Sequence, residues 1–169
     1  MVNAVGLTGR TSGLVWLVGL FLLAPVGLWV AVAAGWIALP VALPPPGQIA
    51  VLLIAAPIIE EWVFRGHLQP WLSNQLVGRL ANRHAESIPA KLNLQLAAIV
   101  VTSLTFTVMH WFASGAAASW WVFLPSLALG WLQIKTGDWR LCALLHSSFN
   151  AVWCTAIWCI KFISVDPLV

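Results

Sequence analysis

Three stretches of the chain carry no Lys, Arg, Asp or Glu: Thr11 to Ile59, Leu92 to Ile134 and Leu141 to Ile160. Apolar side chains fill them without the charged face that a surface helix of a soluble domain presents. A helix crossing a bilayer needs about 20 such residues, so the first two stretches hold two spans each and the third holds one. Pro44-Pro45-Pro46-Gly47 divides the first stretch, because no helix runs intact through successive prolines. Ser114-Gly115, just after Trp111-Phe112, divides the second. The pattern therefore predicts five spans, at 13–39, 48–71, 93–113, 117–134 and 141–162.

Between the second and third spans the period changes. Leu72, Leu76 and Leu80 recur every four residues, with Arg79, Arg83 and Glu86 between or beyond them. That suits a short amphipathic helix lying in the interface with its cations toward anionic head groups. The expected fold is all-α: a polytopic membrane helix bundle of about five transmembrane helices plus this interfacial helix. Residues 1–169 form a single membrane-embedded domain, with 1–47 an accessory first span and 48–162 the core. Arg10 ahead of an apolar run, with Ala31-Val32-Ala33 after it, has the look of a secretory signal. The run is longer than the roughly 7–15 residues of such a signal, so a retained first span is expected.

Composition sharpens this picture. Apolar residues make up 61% of the chain and charged residues 8%, against about 45–50% and 25% in soluble domains. The mean hydropathy is +0.92. A water-facing surface cannot be built from so few charges, and the composition also excludes disorder, collagen and a disulfide scaffold. No basic patch of the kind that binds nucleic acid is present. Six of the basic residues, Arg10, Arg79, Arg83, Lys91, Lys135 and Arg140, fall in alternate loops, while Lys161 alone marks the other side. With the basic loops cytoplasmic, the N-terminus is inside and the C-terminus outside. Twelve Trp and no Tyr supply interfacial anchors, Trp120, Trp121 and Trp139 among them. Cys142, Cys154 and Cys159 share the last span at a spacing that fits neither a zinc knuckle nor a redox pair, and are read as packing.

Against this background the polar residues inside the spans stand out. An ionisable group at membrane depth costs several kcal/mol and points to function. Glu60 and Glu61 lie midway along the second span, three residues after Pro57, which should kink the helix there. Glu61 and Arg65 are four apart with the acid first, the favourable order for a same-face ion pair. Glu60 is left without a partner nearby in sequence. Phe106 stands one turn before His110 in span three, where its ring can brace the imidazole. His146 and Asn150 stand one turn apart in span five. His67 and His84 read as interfacial and solvated.

A carboxylate, two imidazoles and an amide converging in a bundle support three chemistries. Glu60 can act as general base on a water, with His146 or Asn150 stabilising an oxyanion. Glu60, His110 and His146 can bind zinc with one position open. The same groups can relay protons or ions without hydrolysis, although the chain is short for the inverted repeats that alternating access uses.

Glu60-Glu61-Trp62-Val63-Phe64-Arg65-Gly66 reads as EExxxRG, Phe106 to His110 as FxxxH, and His146 to Asn150 as HxxxN. In that order, with Thr136-Gly137-Asp138-Trp139 ahead of the last, they resemble the signature of the CAAX-protease and bacteriocin-processing family of intramembrane glutamic endopeptidases. The resemblance covers about residues 50–155. It implies that Glu60 activates the attacking water, that His110 helps hold it, and that His146 and Asn150 serve the site and the oxyanion. Glu61 and Arg65 would support the site, as would Phe106. It further implies a membrane-anchored protein or peptide substrate, with a C-terminal sorting or CAAX-like tail removed, and a bacterial inner-membrane location. No cofactor is expected, with zinc on Glu60, His110 and His146 the alternative, and a non-enzymatic immunity or scaffold protein of the same family the other.

One geometric condition follows. In straight spans three and five, which both run from inside to outside, His110 lies near the outer end and His146 near the inner end, about 15–20 Å apart in depth. A shared site therefore requires short, broken or tilted helices around a polar cavity, where irregular backbone is tolerated in a membrane.

Overall fold

A computed structural model describes residues 44–81, 88–114 and 117–164, together with scattered positions between 15 and 35. The predicted span 13–39 and the stretch holding Arg83, His84 and Glu86 lie largely or wholly outside the described residues. Every regular element among the described residues is helical.

The first long helix is a composite. It opens as α1 (Pro46–Ala50), with Pro45 and Pro46 placed where a helix start needs no N–H donor. A π-helical turn, Val51–Ala55, leads into α2 (Ala56–Val63), and a second one, Phe64–Leu68, leads into α3 (Gln69–Ala81). Each π turn ends one residue before an Xaa-Pro step, at Ala56-Pro57 and Gln69-Pro70. A proline ring clashes with the carbonyl four residues back, and a wider turn relieves that clash. The kink expected at Pro57 thus takes the form of a π turn just before it. From Pro46 to Leu76 this rod is long and apolar enough to cross a membrane. Its continuation to Ala81 replaces the separate interfacial helix expected around Leu72 and Leu76.

Helix α4 (Ile88–Ser114) contains a second such segment, Leu92–Ala113, and α6 (Trp139–Ser164) a third, Trp139–Cys159. Between them the predicted fourth span is met by a 3-10 segment, Ala117–Val122, followed by α5 (Phe123–Thr136). At 1.5 Å per residue α5 is about 21 Å long, shorter than the hydrocarbon core. Among the described residues, three helices are long and apolar enough to span.

The connection from α5 to α6 is two residues long. Gly137, at φ +67°, occupies the left-handed conformation and donates its N–H to Gln133 O at 2.8 Å, closing α5. Asp138 Oδ1 accepts from the N–H of Arg140 at 3.0 Å and caps α6. So tight a turn packs α5 directly on α6, where Leu129, Leu132, Cys142 and Leu145 form an apolar core. The Cys142 thiol lies in that core, 3.4 Å from Leu129 O; all three cysteines are free.

The rest of the bundle is inside out relative to a soluble protein. Ile54, Ile58, Ile59, Trp62 and Val63 on α2 and its approach are exposed, as are Val100, Val101, Leu104 and Met109 on α4. Glu61, Arg65, Gln69, Thr102, Ser103, Thr107, Ser126 and His146 are buried. Buried polar groups and large apolar side chains turned outward are what a lipid solvent selects.

Candidate active site

Four elements meet at the buried polar layer, and the local sequence of each explains how. On α2 and the π turn after it, Pro57, Glu61, Phe64 and Arg65 recur at one-turn spacing and are buried. On α4, Ile99, Thr102, Ser103, Phe106 and Thr107 form one buried face that runs up to His110. Helix α6 brings His146, and α5 brings Ser126.

The anchor is Arg65, fully buried beside an equally buried Glu61, with Nε 3.3 Å from Glu61 Oε2. Its Nη2 donates to both the main-chain oxygen of Ser126, at 2.8 Å, and the Ser126 hydroxyl, at 2.6 Å. The guanidinium also lies over the Phe106 ring, 5.1 Å from its centre, a cation–π arrangement worth most where water is excluded. One turn on, Gln69 Nε2 donates to Gly130 O at 2.9 Å. These two rungs advance in step along both chains, so the Arg65–Gln69 segment and α5 run parallel. Gln69 also borders an open pocket of about 230 Å³ whose lining includes Ser73, Asn74, Gln95 and Gln133. Such a space is large and polar enough to hold water.

Close approach at this point needs glycine. A Cβ on Gly130 would sit 2.7 Å from Ile99 Cγ2 and 3.2 Å from Gln69 Oε1, and small residues are the usual means of bringing membrane helices together.

Glu61 orients the next group. Its Oε1 lies 2.9 Å from His146 Nδ1. A carboxylate only accepts, so Nδ1 carries the proton and Nε2 turns away from Glu61. His110 is set the same way: its Nδ1 lies 3.0 Å from Phe106 O, and a carbonyl also only accepts. The Phe106 ring stacks on His110 with centroids 4.2 Å apart and meets His146 edge-on at 5.8 Å. Phe106 thus braces both imidazoles, one by its main chain and ring, the other by its ring alone.

The two Nε2 atoms then face one carboxylate oxygen. Glu60 Oε2 is 3.7 Å from His146 Nε2 and 4.0 Å from His110 Nε2. Glu60 and His110 are about 30% exposed, whereas His146 is nearly enclosed. Both imidazoles therefore stand at the same depth. With both rings neutral, three lone-pair-bearing atoms converge at distances too long for direct hydrogen bonds. That spacing suits a small bridging molecule that donates protons. Among the described residues, no group of three His, Cys, Asp or Glu is arranged to hold a metal ion.

Of the residues singled out from sequence, Glu60, Glu61, Arg65, Phe106, His110 and His146 are brought together. Asn150 is turned elsewhere: its Nδ2 donates to Leu52 O at 2.8 Å, in the first π turn. His67 is exposed, with Nδ1 2.7 Å from Trp62 O. Ser126 and Gln69 were not foreseen. Gln69 continues the four-residue ladder Glu61, Arg65, Gln69, a signal present in the sequence, whereas nothing local marks Ser126 as the seat of an arginine.

Neither the curated proteins nor the solved structures include a match to the chain. Residues 42–152 match the model of one family, described as Type II CAAX prenyl endopeptidase Rce1-like, a family of proteases. The matched segment covers most of the chain and holds every residue of the site, from Glu60 to Asn150. With three helices among the described residues long and apolar enough to span, the chain is an integral membrane protein that belongs to the Type II CAAX prenyl endopeptidase Rce1-like family.

Proposed function

We propose that the protein is an intramembrane endopeptidase that hydrolyses a membrane-anchored precursor, removing a C-terminal CAAX-like or sorting tail, with Glu60 as the base that activates water. The observation that carries this reading is the convergence of His110 Nε2 and His146 Nε2 on Glu60 Oε2 at 4.0 and 3.7 Å, from three separate helices.

A water placed among these atoms donates one proton to Glu60 Oε2 and the other to an imidazole Nε2. Its oxygen lone pair is then directed at a scissile carbonyl. Glu60 takes the proton as the carbon–oxygen bond forms and returns it to the leaving amine nitrogen. His146, with Nδ1–H held by Glu61, can enter the cycle already protonated at Nε2 by solvent. It then donates that N–H to the oxyanion and keeps the proton when the intermediate collapses, while the Glu61–Arg65 pair supports the cation. His110 orients the water and is itself held by Phe106.

Zinc is the second reading, because Glu60, His110 and His146 are of the donor types it takes. Around a tetrahedral zinc with bonds of about 2.0 Å, neighbouring donors lie about 3.3 Å apart. The separations here are longer, which favours water. With the basic loops cytoplasmic, Arg79, Lys91, Lys135 and Arg140 face the interior of a bacterial cell.

The test is mass spectrometry of two peptides incubated with the protein in liposomes, one farnesylated near its C-terminus and one carrying a membrane-anchored sorting tail. Cleavage of either that survives a chelator supports the reading. Loss with chelator and return with zinc favours the metal, and no cleavage of either favours an immunity or scaffold role.

A further inference from the structure

We infer that the pocket between α3, α4 and α5 is a lipid site, which takes the uncharged, hydroxyl-bearing head of a phospholipid such as phosphatidylglycerol at the cytoplasmic boundary of the bundle.

The pocket, of about 230 Å³, is lined by Gln69, Ser73 and Asn74 of α3, Gln95 of α4 and Gln133 of α5, and its other two lining residues are a proline and an isoleucine. It gathers four of the ten Asn and Gln residues in the chain. In a membrane protein this poor in polar groups, such a concentration points to a ligand. A carboxamide offers one acceptor oxygen and two donor hydrogens, and a hydroxyl both donates and accepts. No side chain in the lining is charged, so the pocket has no cation for a phosphate and no carboxylate for an ammonium group. The lining matches a ligand that donates and accepts in turn, as neighbouring alcohol groups do.

Depth identifies the source of those alcohols. Ser73 and Asn74 lie within one turn of Leu76, where one membrane-crossing segment ends, and Gln95 lies within one turn of Leu92, where the next begins. Gln133 is one turn from the end of α5. All three helices therefore reach the membrane boundary beside the pocket, at head-group level. Trp71, Leu92 and Leu96, next to the lining residues in sequence, are exposed and give acyl chains an apolar surface with an interfacial tryptophan. Arg79, Lys91, Lys135 and Arg140 lie at the same ends of these helices, where basic residues attract an anionic leaflet. A phospholipid with one negative charge and a diol head satisfies both conditions: its phosphate lies in the basic belt and its hydroxyls enter the pocket. The inner wall is Gln69, which donates to Gly130 O one turn beyond the Arg65–Ser126 contact, so the bound head abuts the buried polar layer.

The test is native mass spectrometry of the full chain in micelles titrated with lipid. Phosphatidylglycerol is compared with phosphatidylethanol, which carries the same single charge and no free hydroxyl. One net hydrogen bond changes a binding constant by roughly two- to tenfold, so phosphatidylglycerol should bind about tenfold more tightly or better. Asn74→Leu and Gln95→Leu should each erase most of that preference while leaving phosphatidylethanol binding unchanged. Gln75→Leu, at an exposed position on the same helix outside the lining, should keep the preference. Asn74 is exposed and Gln95 half-buried, so both variants should unfold at the wild-type temperature in lipid-free micelles.

Equal binding of the two lipids overturns the inference, and so does a preference that survives both substitutions. Competition by glycerophosphoglycerol, the same head without acyl chains, at a concentration equal to that of the lipid would make the ligand a soluble polyol and overturn the lipid assignment. Displacement of phosphatidylglycerol by the farnesylated peptide would assign the pocket to the substrate and overturn it as well. None of these measurements needs cleavage, so the lipid site stands or falls apart from the proteolytic reading.

Discussion

Removing the Arg65 guanidinium should test the buried layer most severely. Arg65→Leu keeps most of the volume but deletes the partner of Glu61 and both bonds to Ser126. Breaking a buried pair by removing one charge costs about 3–5 kcal/mol, because the other charge remains uncompensated. Leaving the buried Ser126 hydroxyl without its partner adds about 1–3 kcal/mol. The sum approaches the whole stability of many domains, roughly 5–15 kcal/mol. Glu61→Gln added to Arg65→Leu removes the stranded charge, yet its amide oxygen can still accept from His146 Nδ1. The double variant should therefore be more stable than Arg65→Leu by about 2 kcal/mol or more, a coupling that independent sites do not show. Reversible unfolding of the full chain in mixed micelles, followed by tryptophan fluorescence, measures both variants. Two results refute the reasoning: an Arg65→Leu protein within about 0.5 kcal/mol of wild type, or a double variant no better than the single one.

Two further substitutions probe how the bundle closes. Gly130→Ala drives a Cβ to 2.7 Å from Ile99 Cγ2 and should lower stability by about 1–3 kcal/mol; Ile99→Ala, which removes that methyl, should recover part of the loss in the same unfolding assay. Gly137→Ala forces a side chain into a backbone at φ +67° and should cost about 1 kcal/mol, with Gly137→Asn costing less, read as shifts in thermal midpoint.

Much of this protein is legible in its sequence, for physical reasons that differ from residue to residue. The apolar runs identify α4 and α6 because lipid demands them. Glu61 and Arg65 are readable as a pair because helical spacing alone brings them together. The three-residue group around Glu60 is harder. It depends on three separate helices packing at one depth, which no local pattern in any one of them specifies. Helix α3 was expected as a separate interfacial element from its Leu72, Leu76, Leu80 period. The structure instead continues it from the span without a break, through the π turn Phe64–Leu68 that precedes Gln69-Pro70. Ser126 and the Leu52 carbonyl were invisible for a deeper reason. A main-chain acceptor has no letter in the sequence, and its partner across the bundle appears only when the helices are packed.

The most direct measurement is the turnover of the farnesylated peptide by Glu60→Gln. The substitution keeps the shape of a side chain that is 30% exposed, so the variant should unfold at the temperature of wild type. Loss of a general base should lower kcat by about 100- to 10,000-fold, and a chelator should leave wild-type turnover unchanged. A folded Glu60→Gln protein that cleaves at the wild-type rate would contradict the central claim that this carboxylate activates the water.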